Sequence, residues 1–185
     1  MRYLKYAWLL LGLALVSAPR AHAASDAAGN ALGVTARLGI VGIANAATTR
    51  STAWELGVGG RWHLWRYGGV ALGYRGAVLP AGTPQVGLFS SFHRLQLGPY
   101  VGYFGPAARA SLAVGAQPYV QTAHVRGNGQ AVEPILRYGI GGALEARFGL
   151  RVVRDVFASL YMTAMNRGRS VDLSAGLALD WGVGP

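Results

Sequence analysis

Apolar and polar side chains alternate along several stretches of the chain, a pattern that predicts β-strands. In residues 53–66, one parity is mostly Trp, Leu and Val, whereas the other is mostly Glu, Gly, Arg and His. The same arrangement recurs in 108–125, 135–148 and 171–183, with weaker alternation in 31–43, 69–79, 93–104 and 153–165. Eight strands are therefore predicted.

The distribution of charge between the two parities indicates which face is which. In every clear strand the apolar set is bulky, whereas the polar set combines charged residues with glycine. The bulky set would overfill the interior of an eight-stranded barrel, while small residues and paired charges fit it. The sequence thus predicts an all-β fold: an eight-stranded antiparallel transmembrane up-and-down β-barrel that is apolar outside. A soluble lipocalin-like binder of the periplasm, with the faces reversed, remains an alternative.

The first 23 residues have the pattern of a cleaved signal peptide. Arg2 and Lys5 precede an apolar run over 7–16, and Ala21-His22-Ala23 forms an A-x-A cleavage site. We therefore expect a signal peptide over 1–23 and a barrel domain over 24–185. The longest uncharged run, 76–92, contains two prolines, so it does not predict a membrane-spanning helix.

Short segments rich in Gly, Pro and Arg separate the predicted strands, as is typical of turns. The barrel domain allows about 20 residues for each strand with its connection, enough for a tilted span of about 9–11 residues. Sixteen strands do not fit, which excludes a wide porin. The predicted connections are 47–51, 67–68, 80–85, 105–107, 127–134, 149–150 and 167–169.

Composition adds a candidate site inside the barrel. The chain has 17 basic and 7 acidic residues and no cysteine; beyond the signal peptide every basic residue is arginine. Charges inside so narrow a barrel must be paired or hydrated. We expect a network that plugs the lumen, the alternative being an arginine-lined anion pore. The predicted lumen charges are Arg37, Glu55, Arg61, Arg75, Arg94, Arg137, Glu145, Arg147, Asp172 and Asp180.

With eight strands both termini lie on the same side of the membrane, which we expect to be the periplasm. Aromatic residues cluster near the ends of the even-numbered strands, which run back towards that side. Such a cluster at one membrane interface is an aromatic girdle. The predicted girdle consists of Trp62, Tyr67, Tyr100, Tyr103, Phe148 and Trp181.

The last predicted strand resembles the C-terminal assembly signal of bacterial outer-membrane β-barrel proteins. The resemblance covers residues 174–181 and rests on Ser174, Gly176, Leu179 and Trp181; the family often ends on the aromatic residue, whereas four residues follow it here. It implies a small eight-stranded barrel of the bacterial outer membrane, with the barrel-assembly machinery and outer-membrane lipid as partners. The fold does not by itself decide function.

Enzyme chemistry has weak support. The three histidines beyond residue 23 form no H-x-H or H-E-x-x-H pattern, so no metal site and no cofactor are expected. Ser90, Ser91 and His93 are close together, as a lipid-modifying hydrolase would require, but the His-x-Ser-Asn pattern of barrel lipid A deacylases is absent. A hydrolase therefore remains only an alternative, and no catalytic residue is assigned.

Four arginines fall in or beside connections expected to face outward: Arg50, Arg126, Arg167 and Arg169. Arginine binds phosphate with two hydrogen bonds, so lipopolysaccharide is an expected partner. Nucleic acid is not, because the strands carry membrane-type aromatic residues and lysine is missing beyond the signal peptide. The sequence thus predicts a non-enzymatic outer-membrane protein with a structural or interaction role in the cell envelope.

Overall fold

A computed structural model of the protein describes residues 31–46, 49–78, 89–123, 126–127, 130–131, 135–168 and 170–182. The predicted signal peptide lies outside these residues. The strands are β1 Ala31–Ala46, β2 Thr49–Trp65, β3 Gly68–Val78, β4 Phe89–Phe104, β5 Ala108–Ala123, β6 Arg126–Gly127, β7 Gln130–Ala131, β8 Ile135–Val153, β9 Val156–Arg167 and β10 Ser170–Trp181.

Eight of these strands form a closed barrel in the order β1-β10-β9-β8-β5-β4-β3-β2. All neighbours are antiparallel, and the seam closes where β1 pairs with β10, with Val34 opposite Trp181. The short strands β6 and β7 pair only with each other, between β5 and β8. The predicted eight-stranded up-and-down barrel is confirmed.

The two ends of the barrel differ. The terminal end, where β1 begins and β10 ends, carries short turns at residues 66–67, 105–107 and 154–155. At the opposite end, the loop end, residues 79–88 separate β3 from β4 and residues 124–134 separate β5 from β8. Short turns at one end and longer connections at the other are typical of outer-membrane barrels.

One predicted turn is wrong. The glycine at position 149 suggested a turn over 149–150, but β8 continues to Val153 and the chain reverses at residues 154–155. Gly149 faces the interior, where an added Cβ would collide with the Ser159 side chain. Asp155 adopts a positive φ of 61° instead, a conformation that Asp tolerates better than most residues.

The outer surface is apolar and the interior polar. Large apolar side chains such as Leu160, Leu177 and Ile140 are 63%, 59% and 75% exposed, respectively. Each barrel strand has 11 to 19 residues, enough to cross a bilayer when tilted. A soluble lipocalin-like barrel would show the reverse arrangement. No helix in the described ranges is both long enough and apolar enough to span a membrane.

The orientation of the two faces can be tested on neighbouring residues of β10. Leu177 is exposed on the outer surface and Ala178 is buried inside. We expect Leu177→Arg to lower the free energy of unfolding by about 2–4 kcal/mol, because the charge would face lipid. Ala178→Ser is the matched inward control and should fold like the parent. Folded yield and denaturant midpoint in lipid vesicles measure both. Parent-like folding of Leu177→Arg would contradict the assignment of the faces.

Candidate functional site

The barrel interior holds a dense set of charged side chains. Nine of the ten predicted lumen charges are buried there: Arg37, Glu55, Arg61, Arg75, Arg94, Glu145, Arg147, Asp172 and Asp180. The tenth, Arg137, is exposed near the loop end. It has the inward parity of β8, but it lies at the start of that strand, where the interior opens, so its placement in the lumen network was wrong.

Glu145 on β8 is the centre of this network. Its Oε2 accepts a hydrogen bond from Nη1 of Arg37 at 2.6 Å and another from Arg75. Its Oε1 accepts from Nη2 of Arg147 at 3.0 Å and from Nη2 of Arg61 at 3.5 Å. Four arginines from β1, β2, β3 and β8 thus converge on one carboxylate across the full width of the barrel.

Glu55 on β2 forms a second centre nearer the loop end. It accepts a hydrogen bond from Arg94, and the Tyr161 hydroxyl donates to its Oε1 at 3.3 Å. Nη1 of Arg75 lies 3.7 Å from the same Oε1. Arg75 therefore pairs with both glutamates and joins the two centres.

The two aspartates extend the network along the barrel. Asp180, near the terminal end, accepts hydrogen bonds from Thr35 and Ser159 at 2.6 Å each, as well as one from Arg147. At the other end Asp172 pairs with Arg167 through both carboxylate oxygens, one of them 2.8 Å from Nη2. Polar and ionic contacts thus continue along most of the lumen.

An apolar layer that the sequence analysis missed lies inside the barrel near the loop end. It is formed by buried inward residues that pack with Tyr119: Val41, Ile43, Ala53, Ala77, Phe92 and Met165. The guanidinium of Arg167 lies 5.2 Å from the Phe92 ring and 5.3 Å from the Tyr119 ring. Val41 and Ile43 share the inward parity of Arg37, and this parity was the signal in the sequence that predicts their burial.

A second, aromatic layer lies near the terminal end. Tyr100 is buried with Ala71 and Ala113, and Phe104 packs against them. The His63 ring meets Tyr100 and Phe104 edge-on, at centroid distances of 5.3 Å and 4.7 Å. The prediction that Tyr100 belongs to the outer girdle is therefore wrong: it shares the parity of Arg94 on β4 and points inward.

The other predicted girdle residues lie on the outer surface. Trp62, Tyr67, Tyr103 and Phe148 are 51–62% exposed, and Trp181 is half-buried at the end of β10. Phe148 does not close its strand as expected, because β8 continues beyond it to Val153. It lies instead in one row with Tyr103, since Ala110 of β5 is opposite both residues.

The residues of the predicted assembly signal all lie on β10, next to the seam. A Cβ at Gly176 would collide with the backbone of Leu38 and Gly39 on β1. Ser174 points inward, where its hydroxyl accepts from Arg94 at 3.2 Å, whereas Leu179 faces outward. The close approach at the seam is thus a structural reason for glycine at this position. Recognition by the assembly machinery stays a prediction.

The histidine considered for the hydrolase alternative is His93. Nδ1 of His93 is 2.7 Å from the hydroxyl of Tyr74, and the two rings stack on the outside of the barrel. In the part of the chain that the structure describes, His93 thus pairs with a tyrosine rather than with a serine. No group of three or more His, Cys, Asp or Glu residues within these ranges is arranged to hold a metal ion.

Comparison with known proteins identifies the fold. Neither a family model nor a curated protein matches the sequence. Among solved structures, the chain is similar to Ail, the attachment invasion locus protein of Yersinia pestis (TM-score 0.63, 8% identity, 84% of this chain and 99% of that one). It is also similar to Neisserial surface protein A (0.61, 10%, 84% and 99%) and to a de novo designed transmembrane β-barrel (0.52, 12%, 85% and 99%).

These likenesses concern the fold, which is that of the small eight-stranded outer-membrane barrels. The continuous apolar outer surface is the independent observation that agrees with them. The chain is therefore a transmembrane β-barrel of the bacterial outer-membrane type.

The contribution of the Glu145 carboxylate to stability can be measured by removing its charge. We expect Glu145→Gln to lower the free energy of unfolding by about 3–5 kcal/mol, because four buried arginines would lose their shared partner. Asp155→Asn makes the same chemical change at an exposed turn, where the ion pair with Arg154 is 3.7 Å long. That control should cost less than about 1 kcal/mol. Urea titrations in lipid vesicles provide the comparison, and equal costs for the two variants would contradict the central role of Glu145.

Proposed function

We propose that the protein is a non-enzymatic integral protein of the bacterial outer membrane whose lumen is closed and whose role in the envelope is structural or interactive. The observation that carries this proposal is the filled interior: a charge network enclosed between an apolar layer at one end and an aromatic layer at the other. An eight-stranded barrel leaves only enough interior for side chains. A protein of this kind acts through its outer surface and its connections rather than through a pore.

Three successive features support a closed lumen. An ion entering at the loop end would meet the Arg167–Asp172 ion pair and the apolar layer around Phe92, which offers little to replace its water of hydration. It would next meet arginines already held by Glu55 and Glu145. Finally, the rings of Tyr100 and His63 lie in the lumen near the terminal end. The anion pore considered from the sequence is therefore not the function we favour.

The partners proposed for this barrel are outer-membrane lipid, lipopolysaccharide and the barrel-assembly machinery. Arg137, exposed near the loop end beside the 79% exposed Tyr138, is available to lipopolysaccharide phosphates. Arg167 is removed from the outward candidates, because it pairs with Asp172 and donates to Gln121 at 3.0 Å. The side chains of Arg50 and Arg126, and all of Arg169, lie outside the described residues.

Localisation is tested by fractionating cells that express the full chain. We expect the protein in the outer-membrane fraction, extractable only with detergent, with cleavage near Ala23 visible in the intact mass. Unheated samples should migrate differently from boiled ones on gels, because a closed barrel resists detergent until heated. A soluble periplasmic protein with no shift on heating would reject the proposal.

Closure of the lumen is tested by electrical recording. Reconstituted in planar bilayers, the refolded protein should give at most rare, small conductance steps. A wide porin in the same bilayers provides the positive control. Stable, anion-selective channels would show that the arginines line a pore and would overturn the closed lumen.

A further inference from the structure

Among the residues that the structure describes, the buried charges of the interior do not balance. Asp172 is paired with Arg167, so three carboxylates, those of Glu55, Glu145 and Asp180, remain for the other buried arginines. Those arginines number five: Arg37, Arg61, Arg75, Arg94 and Arg147. Arginine does not lose its proton in proteins, so two positive charges remain without a carboxylate of their own. An uncompensated charge in a low-dielectric interior costs several kcal/mol.

Two of these five arginines, together with Arg109, border a small cavity near the terminal end of the barrel. The cavity has a volume of about 20 Å³ and is lined by Arg61, Arg109 and Arg147, with His63, Ser111 and Asp180 among its other walls. The carboxylate of Asp180 already accepts hydrogen bonds from Thr35, Ser159 and Arg147. Three guanidinium groups and one carboxylate thus line this cavity; Arg61 and Arg147 also pair with Glu145, whereas Arg109 does not.

Several side-chain nitrogen atoms at the cavity lack a hydrogen-bond partner. The Nε atoms of Arg61, Arg109 and Arg147 are buried and make no hydrogen bond, and neither does Nδ1 of His63. Arg109 has no carboxylate within 4.0 Å among the described residues; its Nη2 reaches only the Gly182 carbonyl at 3.5 Å. Its guanidinium lies 3.5 Å from the centre of the Phe157 ring, which holds it at the mouth of the barrel. The Nε atoms of Arg37, Arg75 and Arg94 are also unpartnered away from the cavity, so it is the guanidinium of Arg109, without a carboxylate, that marks this place as one where an acceptor is missing.

We propose that this cavity binds one small monatomic anion, of the size and charge of chloride, as the counter-ion of the arginine network. This inference rests on the closed lumen proposed above. A cavity needs roughly 10–15 Å³ to hold a water molecule, so the volume here has room for one particle of about that size. Water would fill the space but would leave the charge excess unchanged. A monatomic anion both fills the space and compensates part of the charge.

The site is tested by the anion dependence of stability. Ligand binding to the folded state alone raises stability with ligand concentration. The thermal midpoint of the refolded full barrel in non-ionic detergent should therefore be higher in sodium chloride than in sodium gluconate of equal ionic strength. The increase should level off as the chloride concentration rises. Arg109→Gln should abolish most of this difference. Arg154→Gln, whose parent side chain is 95% exposed at a turn, is the matched control and should retain it.

Identical midpoints in chloride and gluconate for the parent, or an unchanged difference in Arg109→Gln, would overturn the anion site. If Arg109→Gln does not fold, bromide-soaked crystals of the parent decide: an anomalous peak between Arg61, Arg109 and Arg147 supports the site, and its absence rejects it. Bilayer recordings separate this result from the function. Open channels reject the closed lumen, whereas a silent barrel without chloride dependence rejects only the anion site.

Discussion

Closure of eight strands into a barrel is the constraint on which the rest of this structure depends. It leaves an interior just wide enough for side chains to fill, so long inward side chains reach residues on distant strands. Glu145 on β8 meets Arg37, Arg61 and Arg75 from three other strands for this reason. The same closure removes free strand edges, so the backbone hydrogen bonds are satisfied within the wall, as the bilayer demands.

The narrow interior also explains the inward glycines. Tyr161 lies inside the barrel, where its hydroxyl reaches Glu55 and its ring lies 5.4 Å from the Arg75 guanidinium. A Cβ at Gly39 would collide with that hydroxyl, so the large side chain on β9 requires a missing one on β1. A Cβ at Gly57 would lie 2.8 Å from the backbone oxygen of Tyr74 and 3.2 Å from Cγ of Arg75. Both glycines thus leave space that neighbouring strands occupy.

The period-two pattern predicted the eight barrel strands, and the distribution of charge between the two parities predicted which face is inside. Nine of the ten charges that it placed on the inward side are buried there. The errors came from residues where a second feature competed with parity: Tyr100 was grouped with nearby girdle aromatics, and Gly149 was assigned to a turn. Arg137 lies beyond the enclosed part of its strand. Which arginine pairs with which carboxylate depends on the register of the strands and the shear of the barrel. Neither can be predicted from the spacing of residues within one strand.

A buried ion-pair network is not the arrangement that maximises stability, since well-packed apolar residues often do as well or better. An apolar interior would, however, make each strand apolar at every position. The longer strands, such as β8 with 19 residues, would then approach the roughly 20 apolar residues that span a bilayer as a helix. Such a chain would insert as helices into the first membrane that it contacts. Charges such as Glu145 and Arg147 on alternate positions of β8 prevent this, and they become compatible with burial only when the barrel closes and brings their partners together.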